Sequence, residues 1–210
     1  MVSSPLERSV TALLEGAGNQ MWGFTPRLMA PTVRQLGPVG ALRWFAANMP
    51  RYLLTLRFYG ALRTHLVGTV ISLLNGCPYC TYGEAYAFQL IYLRNSGRLF
   101  PLDEYEVGEL CGQSPASIRR RLVAALQLAG MHAEVPVLDR VIELTLGPDQ
   151  RPSEPEEIRL AHLVRMLSTM NAISMRNGMP RAAGEAMDPV NKDGALKLLY
   201  AGLRNTAPCT

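Results

Sequence analysis

Lysine is nearly missing from this chain: Lys192 and Lys197 are the only two among 21 basic residues, so arginine carries almost all the positive charge. Against 17 acids the net charge is +4, a mild basicity that permits an anionic partner without requiring one. Long apolar runs are missing too. The most apolar stretch, His65 to Leu74, is about half the length needed to span a bilayer, so no membrane partner is expected. The opening residues, MVSSPLERSVTALLEGAG, lack the basic start and apolar core of a secretory signal, and the expected location is cytoplasmic. Four cysteines are too few for a disulfide framework in 210 residues, so a close pair reads as catalytic or metal-binding. No alternating apolar run bounded by turns suggests a strand, and no internal repeat is visible, which leaves an all-α class.

What is present is a foldable chain, 48% hydrophobic and 18% charged, too apolar to stay disordered. Ser4 and Pro5 start a first helix that Gly16 should end. From Trp22 to Pro50 four prolines cut the apolar residues into short segments, expected to wrap the core or a neighbouring subunit. Helical spacing then runs from Arg51 to Asn75, with Asn75-Gly76 as the stop, and resumes from the cysteines to Asn95. Further helices are expected over 102–111, 114–129, 134–146, 155–176 (capped by Ser153) and 190–204, with 178–189 a surface connection or arm. The chain thus divides into a wrapping segment (1–50), a helical core (51–176) and a C-terminal connection and helix (177–210).

The chemistry concentrates in NGCPYCTYGE, residues 75–84. Cys77 and Cys80 are three apart, so one helical turn puts both sulfurs on the same face, close enough to bridge. Pro78 suits a first turn, and a Cys77 at the helix N-terminus would be favoured as thiolate, the form that attacks disulfides and peroxides. Glu84 lies one turn past Cys80 and can take a proton. His65, ten residues before Asn75, approaches the same face if the two helices double back as a hairpin. The bland alternatives are two buried thiols acting as small hydrophobes, a core histidine satisfied by a carbonyl and a surface glutamate. A metal held by Cys77, Cys80, His65 and Glu84 is a further alternative, although a structural zinc usually needs a second cysteine pair and Cys111 and Cys209 are isolated. His132 and His162 have no partner at a telling spacing, and the methionines from Met166 to Met179 suggest packing or an oligomer contact.

The run from His65 to Glu84, above all SLLNGCPYC, resembles the active-site segment of the alkyl hydroperoxidase D-like proteins of the carboxymuconolactone decarboxylase superfamily. Those proteins place a glutamate twelve residues before the first cysteine and a histidine four after the second. Here both spacings are kept and the two residues are exchanged, His65 standing where the glutamate would be and Glu84 where the histidine would be. The resemblance implies a multi-helix orthogonal bundle, assembly into homo-oligomers, and thiol-dependent reduction of hydroperoxides; no bound organic cofactor is expected, and the electrons would come from a thiol or disulfide donor. It makes Cys80 the sulfur that attacks the peroxide and Cys77 the resolving thiol, whereas the helix dipole favours Cys77 as nucleophile. His65 would act as general base with Glu84 as its relay partner. A carboxylate beside Cys80 raises that thiol's pKa, which leaves open a diverged decarboxylase or metabolite oxidase, with or without a metal.

A second pattern competes. Residues 105–126, YEVGELCGQSPASIRRRLVAAL, have the cadence of a helix-turn-helix, with Arg119, Arg120 and Arg121 toward phosphates. The acids Asp103, Glu104, Glu106 and Glu109 would repel DNA from its first helix, and one basic cluster supplies few phosphate contacts, so nucleic acid is the lesser expectation.

Overall fold

The computed structural model describes residues 4–147, 152, 154, 156–181 and 184–206. Among them are ten α-helices and no strand, in line with the all-α expectation. Helix α1 (Pro5–Trp22) opens with a reciprocal cap, Ser4 Oγ accepting from the Glu7 N–H while Glu7 accepts from the Ser4 N–H. It runs through Gly16, where the sequence suggested an end, because an isolated helical glycine costs only about 1 kcal/mol against alanine.

The largest departure is at 22–50. Instead of short wrapping segments, the chain forms α2 (Met29–Leu36) and the long α3 (Pro38–Tyr59). Pro31 falls in the first turn of α2 and Pro38 at the first position of α3, where no backbone N–H is needed. Pro50 sits within α3, so the prolines open helices more than they break them. The helix expected over 51–75 is correspondingly split at Gly60 (φ 79°, ψ 153°), a backbone conformation that suits glycine, and α4 occupies Ala61–Leu74.

After the cysteines comes α5 (Pro78–Ser96), ended by Gly97 in the left-handed conformation. Then follow the short α6 (Glu104–Gly108), α7 (Pro115–Leu128) behind its Ser114 cap, and α8 (Val135–Leu146). Helix α9 covers Glu157–Arg176; the Ser153 cap and the start at Pro155 expected for it lie outside the described residues. A 3-10 turn at Pro189–Lys192 leads into α10 (Gly194–Thr206).

The hairpin of α4 and α5 forms the centre. Every residue from Thr64 to Leu73 and from Tyr79 to Leu93 is buried, because α3, α8 and α9 pack around α4 while α6, α10 and the 3-10 turn pack around α5. This fits two helices without a polar stripe, which are stable only when covered on all sides. Ile71, Leu73, Leu90 and Ile91 are almost wholly enclosed, each worth about 1.5–3 kcal/mol of apolar burial. The segment expected as a surface arm is partly inside: Ala186 and Asp188 are buried, since Met187 packs on Gly83 and the Met187 N–H donates to the Gly83 carbonyl (3.2 Å). Among the described residues no helix is long and apolar enough to cross a membrane.

Candidate functional site

The turn between α4 and α5 fixes the cysteines. Asn75 caps α4, Gly76 takes a positive φ of 66°, and the Cys77 N–H donates back to the Ser72 carbonyl (2.9 Å). Cys77 thereby becomes the N-cap of α5, its sulfur accepting from the Cys80 N–H at 3.4 Å. The Cys80 thiol hydrogen-bonds to Cys77 and lowers its pKa to about 7; burial opposes this, while Ser174 and the backbone N–H groups of Cys80 and Tyr79 add to it. Cys80 moves the other way, raised well above the ordinary thiol value by its bond to Cys77, by burial and by the Cys77 and Glu84 charges. The pair therefore consists of a thiolate-prone Cys77 and a proton-holding Cys80, both free thiols, as is Cys111, whose sulfur donates to Thr81 Oγ1 (3.4 Å).

All four residues singled out from the sequence lie in this one region. His65 Nδ1 is 2.7 Å from Glu84 Oε2, and its Nε2 is 3.0 Å from Asp188 Oδ2. The imidazole is fully buried between two carboxylates that only accept, so it carries both ring protons. Burial pulls its pKa down, but the bonds to Asp188 and Glu84 and their charges outweigh that and raise it to about 9. Asp188 is pushed up by burial yet settles below its usual value because of His65. Glycine at 68 makes the arrangement possible: a Cβ there would sit 2.6 Å from Glu84 Oε2.

Asp188 is the residue that sequence reasoning missed. It lies 123 positions from His65, and no local motif marks it. Also unanticipated is a partly open pocket, about 660 Å³ with its adjoining solvent, whose walls include Trp22, Phe24, Trp44, Phe45, Tyr52 and Met187, and whose lining reaches Cys80 and Glu84. Met166 and Met170, expected in packing or an oligomer contact, line it as well; Cys77, fully enclosed, does not.

Among the described residues no three His, Cys, Asp or Glu side chains are grouped to hold a metal ion, and both His65 nitrogens already face carboxylates. In the helix-turn-helix pattern Arg119 makes a bidentate pair with Asp139 on α8 (2.6 and 2.8 Å), which takes it from the phosphate contacts proposed for it. No family model, no curated protein and no solved structure matches this chain.

Proposed function

We propose that this protein is a thiol oxidoreductase of the alkyl hydroperoxidase D-like kind, an orthogonal helical bundle that reduces organic hydroperoxides or a related small apolar substrate by cycling Cys77 and Cys80 between dithiol and disulfide. What supports it is the end of the apolar pocket: Cys80 and Glu84 meet there, one turn apart, with Cys77 directly behind. Access assigns the attack to Cys80, which lines the pocket although it holds its proton more firmly than Cys77. Glu84, and not the doubly bonded His65, is the base that takes the Cys80 proton, and His65 with Asp188 fixes the Glu84 carboxylate and balances its charge.

The Cys80 thiolate then attacks the terminal peroxide oxygen. The O–O bond breaks, the proton on Glu84 goes to the departing alkoxide, and the products are an alcohol and Cys80 sulfenic acid. The Cys77 thiolate attacks that sulfur, an S–S bond forms, and hydroxide leaves to become water. An external thiol or dithiol returns the two electrons. We place this cycle in a reducing cytoplasmic setting, in a homo-oligomer as the family resemblance implies.

Thiol titration before and after exposure to cumene hydroperoxide tests the reading. The expected outcome is two thiols lost per wild-type chain and no Cys77–Cys80 disulfide on peptide mapping of Cys77→Ser or Cys80→Ser. Unchanged thiol counts in the wild type would turn the site into a non-redox pocket. The apolar walls lead us to expect cumene hydroperoxide to react at least about tenfold faster than hydrogen peroxide, since a bound phenyl group contributes upwards of 1.4 kcal/mol.

A further inference from the structure

A second concave site lies on the outer side of α3 and α9, away from the cysteines. Its lining is Arg51, Leu54 and Thr55 from α3 and Ile158, Arg159, His162 and Arg165 from α9, around an open groove of about 900 Å³ with its solvent included. Helical spacing explains the grouping: 158, 162 and 165 fall on one face of α9, opposite 51, 54 and 55 of α3.

The charges are one-sided. Among the described residues no carboxylate pairs with Arg51, Arg159 or Arg165. Of the acids near the start of α9, Glu157 holds Arg140, and the Glu156 backbone carbonyl accepts from the Tyr59 hydroxyl. Arg159 is steadied by the Phe58 ring, 4.6 Å below its guanidinium carbon.

Independently of the arginines, His162 is left incomplete. It is 7% exposed, and its Nε2 donates to Asn48 Oδ1 at 3.0 Å, an orientation fixed because the Asn48 amide nitrogen donates to the Trp44 carbonyl. Its Nδ1 is buried and has no partner. A buried ring nitrogen with no donor destabilises the fold, and a ligand that brings a proton removes that penalty. Burial, then the Arg51 and Arg165 charges, keep this ring neutral.

We propose that this groove binds a phosphate monoester carrying a short apolar group. The guanidiniums match phosphate oxygens in bidentate geometry. A phosphate monoester loses its last proton near neutral pH, with a second pKa of about 6, so once a small shift of the ring uncovers Nδ1 in the groove that His162 lines, it can donate to that nitrogen or give it its proton. A carboxylate or sulfate brings none. Leu54 and Ile158, both more than half exposed, supply the apolar wall.

The test is calorimetric titration of the full chain with hexyl phosphate, hexyl sulfate and inorganic phosphate, alongside sedimentation with phosphatidic acid vesicles. Expected are saturable one-to-one binding of hexyl phosphate, weaker binding of the other two, and a shift of the His162 ring ¹⁵N signal on binding. Arg51→Gln/Arg165→Gln should weaken binding about tenfold or more, because two charge-assisted contacts are lost. Circular dichroism of that variant verifies folding, and Cys80→Ser should bind like wild type, which separates this site from the redox pocket. No saturable binding by wild type, equal binding by the arginine variant, equal affinity for hexyl sulfate, or binding to vesicles alone would each overturn the proposal.

Discussion

Gly68 decides whether Glu84 can reach His65. In Gly68→Ala the new methyl would lie 2.6 Å from the Glu84 carboxylate, inside contact distance, and the displaced side chain would lose its hold on the imidazole. The expected result is peroxide-driven thiol loss slowed about 10- to 100-fold, as for loss of a positioned base. Equal rates in Gly68→Ala and wild type would mean that Glu84 is not that base. His65 also links the site to pH. Its folded pKa of about 9 lies above the ordinary 6.5, so its contribution to stability is complete below about pH 6.5 and disappears as the pH climbs through 9. Cys77 acts oppositely, lowered from 9.0 to about 7, adding stability above 9 that is lost as pH falls through 7. In a Cys77→Ser background, denaturant unfolding should therefore lose on the order of 3 kcal/mol between pH 6.5 and 9, and His65→Asn should flatten that slope. An NMR titration of the His65 ring in the intact protein gives the same quantity without the mutation. Cys77, Cys80, His65 and Glu84 were legible in the sequence because fixed spacings on two successive helices bring them together. Asp188 was not, since nothing local says that a distant segment folds back onto α4.

At the scale of elements, α10 is held to the hairpin by a buried polar cluster. The Tyr200 hydroxyl donates to Glu104, and Arg204 donates to Gln89 Oε1 and to the carbonyls of Phe100 and Leu102. Burial raises the Glu104 pKa, so the carboxylate depends on its donors. Tyr200→Phe should lower the unfolding free energy by about 1–3 kcal/mol, the penalty for leaving such a group unsatisfied, measurable as a shift of the urea midpoint. The boundaries of α5 and α7 were readable because caps and glycines announce them: Pro78 and Gly97 for one, Ser114 and Pro115 for the other. Those of α2 and α3 were hidden because proline is written identically whether it opens a helix or ends one. Only the backbone around Gly37 and Gly60 settles which.

At the scale of the whole molecule, α3 and α9 serve two environments. Tyr52, Met49, Met166 and Leu167 face the apolar pocket, while Arg51, Leu54, His162 and Arg165 line the outer groove. Large apolar side chains also stand exposed on α1 and α10, among them Leu13, Leu198 and Leu199. Surfaces of that kind favour self-association, so sedimentation equilibrium should give a mass above 23.1 kDa that falls on dilution. A monomer at all concentrations would remove the oligomer from the proposed function.

In the proposed cycle, the unequal access to the two sulfurs also dictates how the disulfide is reduced. With Cys77 walled in, an incoming reductant meets only the Cys80 end of the bond, and the group it expels is the Cys77 thiolate, the more acidic of the two and so the readier to depart. Trapping should yield a mixed disulfide at Cys80 alone, and slender donors should restore the proposed dithiol where a bulky protein thiol fails to reach Cys80 in its aromatic-walled pocket.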